Sequence, residues 1–211
     1  MTADLPEFAI PDSGILKYKF EDDNDPSTAI DSFDNGNDGG ITGATYVTDS
    51  KQGDLALDFD GQDDEVDTGV KGLTPPFSFA FWVKWDDPLA QDTALGNKAS
   101  GNRDIYVRSF DGQYQLVWDA AGVNSKFGSI PADTWVHIGF VTDSSETIFY
   151  EDASSIFNGS GTSTQTDDSN NFILGYRGDD EYGDITLDNF SIYDKKLSQS
   201  EVTNHKDRGS I

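Results

Sequence analysis

The chain contains no cysteine. Disulfides, thiolate catalysis and zinc held by thiolates are therefore excluded. Histidine is nearly absent, with only His137 and His205 among 211 residues. No imidazole cluster is expected within one chain, so a bound metal would be held by oxygen, which points to Ca²⁺ or Mg²⁺. Basic residues are scarce too: 14 Lys and Arg stand against 39 Asp and Glu, a formal charge of −25. Such a chain repels phosphate backbones and anionic lipid, which argues against nucleic acid as a partner. No apolar run approaches the roughly 20 residues of a membrane span, so membrane insertion is not expected. The first residues, Met-Thr-Ala-Asp-Leu-Pro-Glu-Phe, lack a basic region followed by an apolar stretch and do not read as a signal peptide. The expected location is extracellular or on a virion surface, reached by assembly.

Aromatic residues are abundant, at 12% of the chain, and they favour strands over helices. The acids are mainly Asp and are interspersed with strand formers, so they belong to a folded surface and not to a disordered tail. A carboxylate-saturated surface suits high salt, where screening over about 3 Å removes the self-repulsion. The length fits one all-β domain.

Alternation of apolar and polar residues predicts short strands from residue 15 onward, the strongest being Phe-Ser-Phe-Ala-Phe-Trp-Val-Lys-Trp over residues 77–85. Its odd positions, Phe77, Phe79, Phe81, Val83 and Trp85, share one face and are the expected core. Asp111-Gly112, Asn158-Gly159 and Gly178-Asp179 are read as turns. Only residues 198–208 look helical, opened by a Ser198/Glu201 capping box. Many short strands at about 8–12-residue spacing give an antiparallel sandwich or barrel. Residues 1–13, with two prolines, form an extended arm available for homo-oligomer formation or a larger assembly. Residues 31–39, Asp-Ser-Phe-Asp-Asn-Gly-Asn-Asp-Gly, are too rich in Asx and Gly for regular structure. They form a shaped loop dense in hard oxygens, which is either a calcium loop or a solvated turn.

Several segments in order resemble a known family. They are Tyr18-Lys-Phe-Glu-Asp22, the loop at 31–39, Leu57-Asp-Phe-Asp-Gly61, Asp63-Asp-Glu-Val66, the strand carrying Trp82-Val-Lys84, Trp135-Val-His137, the closing Asp188 to Tyr193, and Leu197 with Glu201. Together they resemble a LamG-like jelly roll of the concanavalin A-like lectin/glucanase superfamily, which includes laminin G modules and pentraxins. The resemblance implies an all-β, two-sheet antiparallel β-sandwich with a short C-terminal helix over residues 14–211. It also implies a structural calcium ion held by Glu21 or Asp22, Asp31, carbonyls near Asn35 and Asn37, and Asp188. The family's Tyr-x-Asp-Gly hairpin reads here as Tyr150-Glu-Asp-Ala153, so a reshaped hairpin is expected.

Three chemistries follow. Lectin-like sandwiches bind sugars through aromatic platforms and polar groups, and Trp118, Tyr176, Arg177 and Tyr182 are the candidates outside the expected core. The scarce Arg103, Arg108 and Arg177 are possible anion anchors or partners of the many Asp. Hydrolysis needs paired carboxylates, and the nearest stretch, Glu65-Val-Asp67, lacks the second Glu of the glucanase strand motif. His137 is expected to be packed and His205 to face solvent, which leaves no triad. The resulting expectation is a non-catalytic, calcium-stabilised recognition or adhesion module for surface glycans or glycoproteins. The alternatives are a capsid decoration, turret or tail component of a virus infecting a halophile, and a glycoside hydrolase.

Overall fold

The computed structural model describes residues 14–22, 24–97, 105–178 and 181–209. The expected arm at 1–13 and Arg103 lie outside these residues. In chain order the first strands are β1 (Gly14–Tyr18), β2 (Thr28–Ala29), β3 (Gly39–Thr42), β4 (Thr45–Val47), β5 (Ala56–Asp60), β6 (Glu65–Asp67), β7 (Phe77–Trp85) and β8 (Thr93–Asn97). The later ones are β9 (Ile105–Phe110), β10 (Gln113–Trp118), β11 (Val123–Phe127), β12 (Val136–Thr142), β13 (Glu146–Glu151), β14 (Ser154–Ser160), β15 (Ile173–Leu174) and β16 (Asp184–Tyr193). One helix, α1 (Gln199–Arg208), follows.

Two antiparallel sheets form the sandwich. The first runs β14-β13-β12-β7-β16-β5-β4, with β1 also on β16. The second runs β11-β10-β9-β8-β15-β6-β3-β2. The odd positions of β7 are fully buried, as its alternation requires. Phe79 meets Phe140, Phe172 and Phe190 at ring-centroid distances of 5.6, 5.2 and 6.3 Å. Each such buried aromatic contributes about 1.5–3 kcal/mol over leaving it in water.

Strand β16 organises one end of the molecule. Its first half pairs with β5 and its second half with β1. Its register on β7 breaks between Asp188 and Ser191, where Asn189 takes φ 49°. The break turns the Asp188 carboxylate toward the loop before β5, where Oδ2 accepts the amides of Lys51 and Gln52 at 2.8 and 2.7 Å.

Helix α1 is capped as its sequence predicts, with Ser198 and Glu201 in a reciprocal capping box. Its Val202 packs with Val141, Tyr150, Tyr193 and Leu197 on the outer side of the first sheet. His205 is fully buried and not solvent-facing. Its Nδ1 lies 2.9 Å from His137 Nε2, and its Nε2 lies 3.1 Å from Ser191 Oγ. Helical period put it one turn after Val202, on the buried face, and the charged residues beside it in sequence concealed this. Burial pushes His137 down to about 3 and His205 well below its ordinary value.

One further expectation is corrected. Asn158-Gly159 lies within β14 and not in a turn. The hairpin between β13 and β14 has a two-residue loop and a register shift between Phe149 and Tyr150. Asp152 and Ala153 sit at φ 48° and 65°, and Glu151 faces Ser154 across the turn. Backbone pairing holds Ala153 in a left-handed conformation that glycine would adopt more easily.

Candidate functional site

The outer face of the second sheet carries a cleft of about 570 Å³. Register places Asp67 of β6 beside Ile173 of β15, and Ile173 beside Gly96 of β8. Their neighbours Val66, Leu174 and Leu95 are in the core, so these three face outward. Gly96 is required here: a Cβ would come within 2.4 Å of Arg177 Cβ and 2.8 Å of the Tyr176 carbonyl. The segment carrying Tyr176 and Arg177 therefore rests directly on β8. Lys71, Ser169, Asn170 and Asn171 complete the wall.

The walls are held by polar pairs. Asp67 Oδ1 accepts Asn171 Nδ2 at 2.8 Å and the Gly69 amide at 2.9 Å. Asp167 Oδ2 accepts the Asn170 amide at 2.9 Å and its Nδ2 at 2.8 Å. Tyr176 stacks on Tyr182 with centroids 4.5 Å apart. The Arg177 guanidinium lies 4.3 Å from the Tyr106 ring and pairs with Glu181, which also accepts Arg108 Nη1 at 2.6 Å. The Arg177 bond, with the nearby guanidinium charges, holds the Glu181 carboxyl below its usual range. Arg108 Nε donates to Gln115 Oε1 at 2.8 Å. Two arginines, a carboxylate and four aromatic or amide groups thus lock one another, and this fixes the rim of the cleft at little entropic cost on binding.

Of the sequence-predicted binding residues, Tyr176 and Arg177 line the cleft and Tyr182 backs Tyr176. Trp118 does not belong with them. It is fully buried, 5.5 Å from Phe77 and 6.0 Å from Phe140. The parity of β10 turns it inward with Tyr114 and Leu116. Sequence reasoning missed Lys71 and Asn171, whose meeting depends on the pairing of β6 with β15. The short Asp167-to-Asn171 polar run was the available signal.

The six residues expected to hold calcium are not gathered around one point. Asp31 Oδ1 accepts the amides of Lys17 and Phe33, both at 3.0 Å, and its Oδ2 those of Asn35 and Asn37 at 3.1 and 3.3 Å. A carboxylate ringed by four N–H groups presents positive hydrogens where a cation would approach. Asn35 and Asn37 turn their Nδ2 donors to the carbonyl of Ile15, and the Asn37 carbonyl accepts Tyr18 Oη at 2.7 Å. Glu21 accepts the amides of Asp54 and Leu55. Asp22 bonds Asn24, and Asp188 bonds the loop at 51–52. As folded, this donor set does not fit a shared Ca²⁺. Among the described residues, the three acids whose oxygens lie within 4.8 Å of one another are Asp60, Asp63 and Asp64. Asp64 Oδ2 there accepts the Asp60 amide at 2.8 Å, which makes the group a closed loop.

No curated protein matches the sequence. Solved structures match its fold. Domain 4 of AbnA, a GH43 extracellular arabinanase from Geobacillus stearothermophilus, in complex with arabinotriose, superposes with a TM-score of 0.75 at 23% identity, over 91% of this chain and 97% of that one. The binding domain of Paraclostridial Mosquitocidal Protein 1 gives 0.74 at 15% identity, over 92% of this chain and 52% of that one. Trypanosoma rangeli sialidase gives 0.72 at 16%, over 94% of this chain and 33% of that one. The chain thus spans nearly all of the arabinanase domain, half of the mosquitocidal chain and a third of the sialidase. A LamG-type family model (Laminin_G_3) matches residues 60–203, about two thirds of the chain, and on that match the chain belongs to the concanavalin A-like lectin/glucanases superfamily.

Proposed function

We propose that this domain is a non-catalytic carbohydrate-recognition module that takes an oligosaccharide in the cleft formed over β6, β15 and β8. The observation that carries this reading is the cleft itself, with a braced aromatic and guanidinium rim on one side and an Asn/Asp/Lys wall on the other. Aromatic faces pack against the C–H faces of sugars, and convergent amides and carboxylates match their hydroxyls. The structural likeness to an arabinanase domain crystallised with arabinotriose supports it. Binding is favoured over hydrolysis because Asp67 is the one carboxylate among the described lining residues, and it is engaged by Asn171 and Gly69. Glycoside hydrolysis uses two carboxyls flanking the bond. Burial, with the Asp67 charge beside it, raises the Glu65 carboxyl, but Glu65 is not among the lining residues.

The test is a glycan array followed by calorimetry on the best oligosaccharide, with arabinotriose included. The expected result is saturable one-to-one binding, weakened roughly tenfold by Tyr176→Ala or Lys71→Ala, since each loses about 1.4 kcal/mol of contact. Absence of binding to every oligosaccharide overturns the reading. Release of reducing ends from a bound oligosaccharide overturns its non-catalytic part.

A further inference from the structure

Aspartates gather at one end of the sandwich, where β5 and β7 finish and β8 and β16 begin: Asp58, Asp60, Asp86, Asp87, Asp92 and Asp184. Register sets Asp184 directly opposite Asp60 of β5. Like charges that face each other across two strands repel. The Asp86 amide donates to the Asp184 carbonyl at 3.4 Å, which holds the end of β7 against the same point. Gly183 lets the start of β16 rest on β8, since a Cβ there would come within 2.3 Å of the Thr93 carbonyl oxygen. Lys84 is a base whose charge reaches Asp86, and it is paired with Asp49 at 2.8 Å.

On a chain of net charge −25 an acidic cluster is by itself unremarkable in meaning. Asp92 sets this one apart. It is buried, and its backbone is fully used. The amide donates to Ser109 Oγ at 3.0 Å, and the carbonyl accepts the Ser109 amide at 2.9 Å and the Trp85 indole N–H at 3.4 Å. Oδ1 accepts the Asp184 amide at 3.2 Å, so the carboxylate is directed at the start of β16, among the other acids. Oδ2 is buried without a hydrogen-bond partner, and so is the hydroxyl of Thr93, the next residue. Burial, and after it the charges of Asp184, Asp87 and Asp86, raise the Asp92 carboxyl to about 6. At neutral pH the group is therefore largely ionised, and a buried carboxylate oxygen with neither a donor nor a counter-charge is costly.

We propose that Asp92 Oδ2 is the anionic ligand of a monovalent cation, Na⁺ or K⁺, bound between the start of β8 and the start of β16. Hard cations take oxygen ligands, and this one supplies the positive charge that the chain does not bring to the carboxylate. A single charge is the match. Among the described residues, the acids whose oxygens lie within 4.8 Å of one another are Asp60, Asp63 and Asp64, so Asp92 offers one carboxylate and not the convergent set that a divalent ion uses. Neutral oxygens and water complete the shell, and the surrounding aspartates add a negative field that favours the ion. The site shares no lining residue with the cleft and does not rest on the function proposed for it.

The test compares sodium, potassium and tetramethylammonium chlorides at equal ionic strength. Screening of surface charge is then the same in all three, and tetramethylammonium presents only methyl groups to an oxygen ligand. The native protein is expected to melt higher in sodium or potassium than in tetramethylammonium, by a difference that saturates with the concentration of the ion. Asp92→Asn, isosteric and neutral, loses the saturating part. Asp168→Asn, at an exposed acid elsewhere, keeps it. Ion and proton compete for the same oxygen, so the titration of the Asp92 carboxyl, followed by carbon-13 NMR, moves down by about one pH unit at an ion concentration about ten times its Kd. In tetramethylammonium it stays in place. Equal melting of the native protein in the three salts, a saturating difference that survives in Asp92→Asn or is lost equally in Asp168→Asn, or a titration that the ion does not move overturns the proposal.

Discussion

Asp31 and Asp92 are both nearly inaccessible to water, at 2% and 6% exposure, yet the fold treats their carboxylates in opposite ways. Asp31 is surrounded by four backbone amides and is the centre around which its loop is wound. Asp92 Oδ1 accepts one long bond from the Asp184 amide at 3.2 Å, and its buried Oδ2 has no partner. Burial, with the charges of Asp184, Asp87 and Asp86 added, pushes its carboxyl up to about 6. Burial alone therefore does not decide whether an acid stabilises this protein. The number of donors that replace lost water does.

The largest expected effect tests the stabilising half of this contrast. Asp31→Ala leaves four backbone amides, one from β1 and three from the loop, without their acceptor, and urea unfolding should show a loss of about 3–5 kcal/mol. A loss below about 1 kcal/mol would mean that water replaces the carboxylate freely. The next effect tests the costly half. The folded value for Asp92, about 6, lies above the ordinary carboxylate value of 3.8, so the folded protein keeps a proton that the unfolded chain has released. This term favours folding below about pH 4, weakens as pH rises to about 6, and is a constant penalty above that. Asp92→Asn should therefore raise stability by about 1–3 kcal/mol at pH 7, with the gain shrinking toward pH 4. Thermal melts at the two pH values measure it, and an equal gain at both would refute the assignment. The smallest expected effect is none. Because the Asp31 oxygens are taken by amides, EDTA at fixed ionic strength should leave the melting temperature unchanged. A drop on chelation would make this loop a metal site after all.

The strongest strands were legible because their signal is local. Phe77–Trp85 appears with the bounds its alternation predicts, and so does the capping box of α1. The short strands β2, β3 and β4 were not legible. They hold two to four residues, too few for a period of two to register, and they exist because a longer neighbour offers an edge. Trp118 shows the same limit within a site. Its identity suggested a platform, but its place on β10 was fixed by which face the register turned inward.

The sequence by itself determined an all-β, cysteine-free, strongly acidic domain, its core strand, its capped helix and its family resemblance. All of these follow from composition or from spacing over a few residues. Tertiary structure alone decided which charges have partners. It set Asp31 among amides from β1 and its own loop, Asp92 against the start of β16, and His205 against His137. Coulomb and hydrogen-bond energies depend on distance and on exclusion of water, and both are set by strand register and burial between segments far apart in the chain.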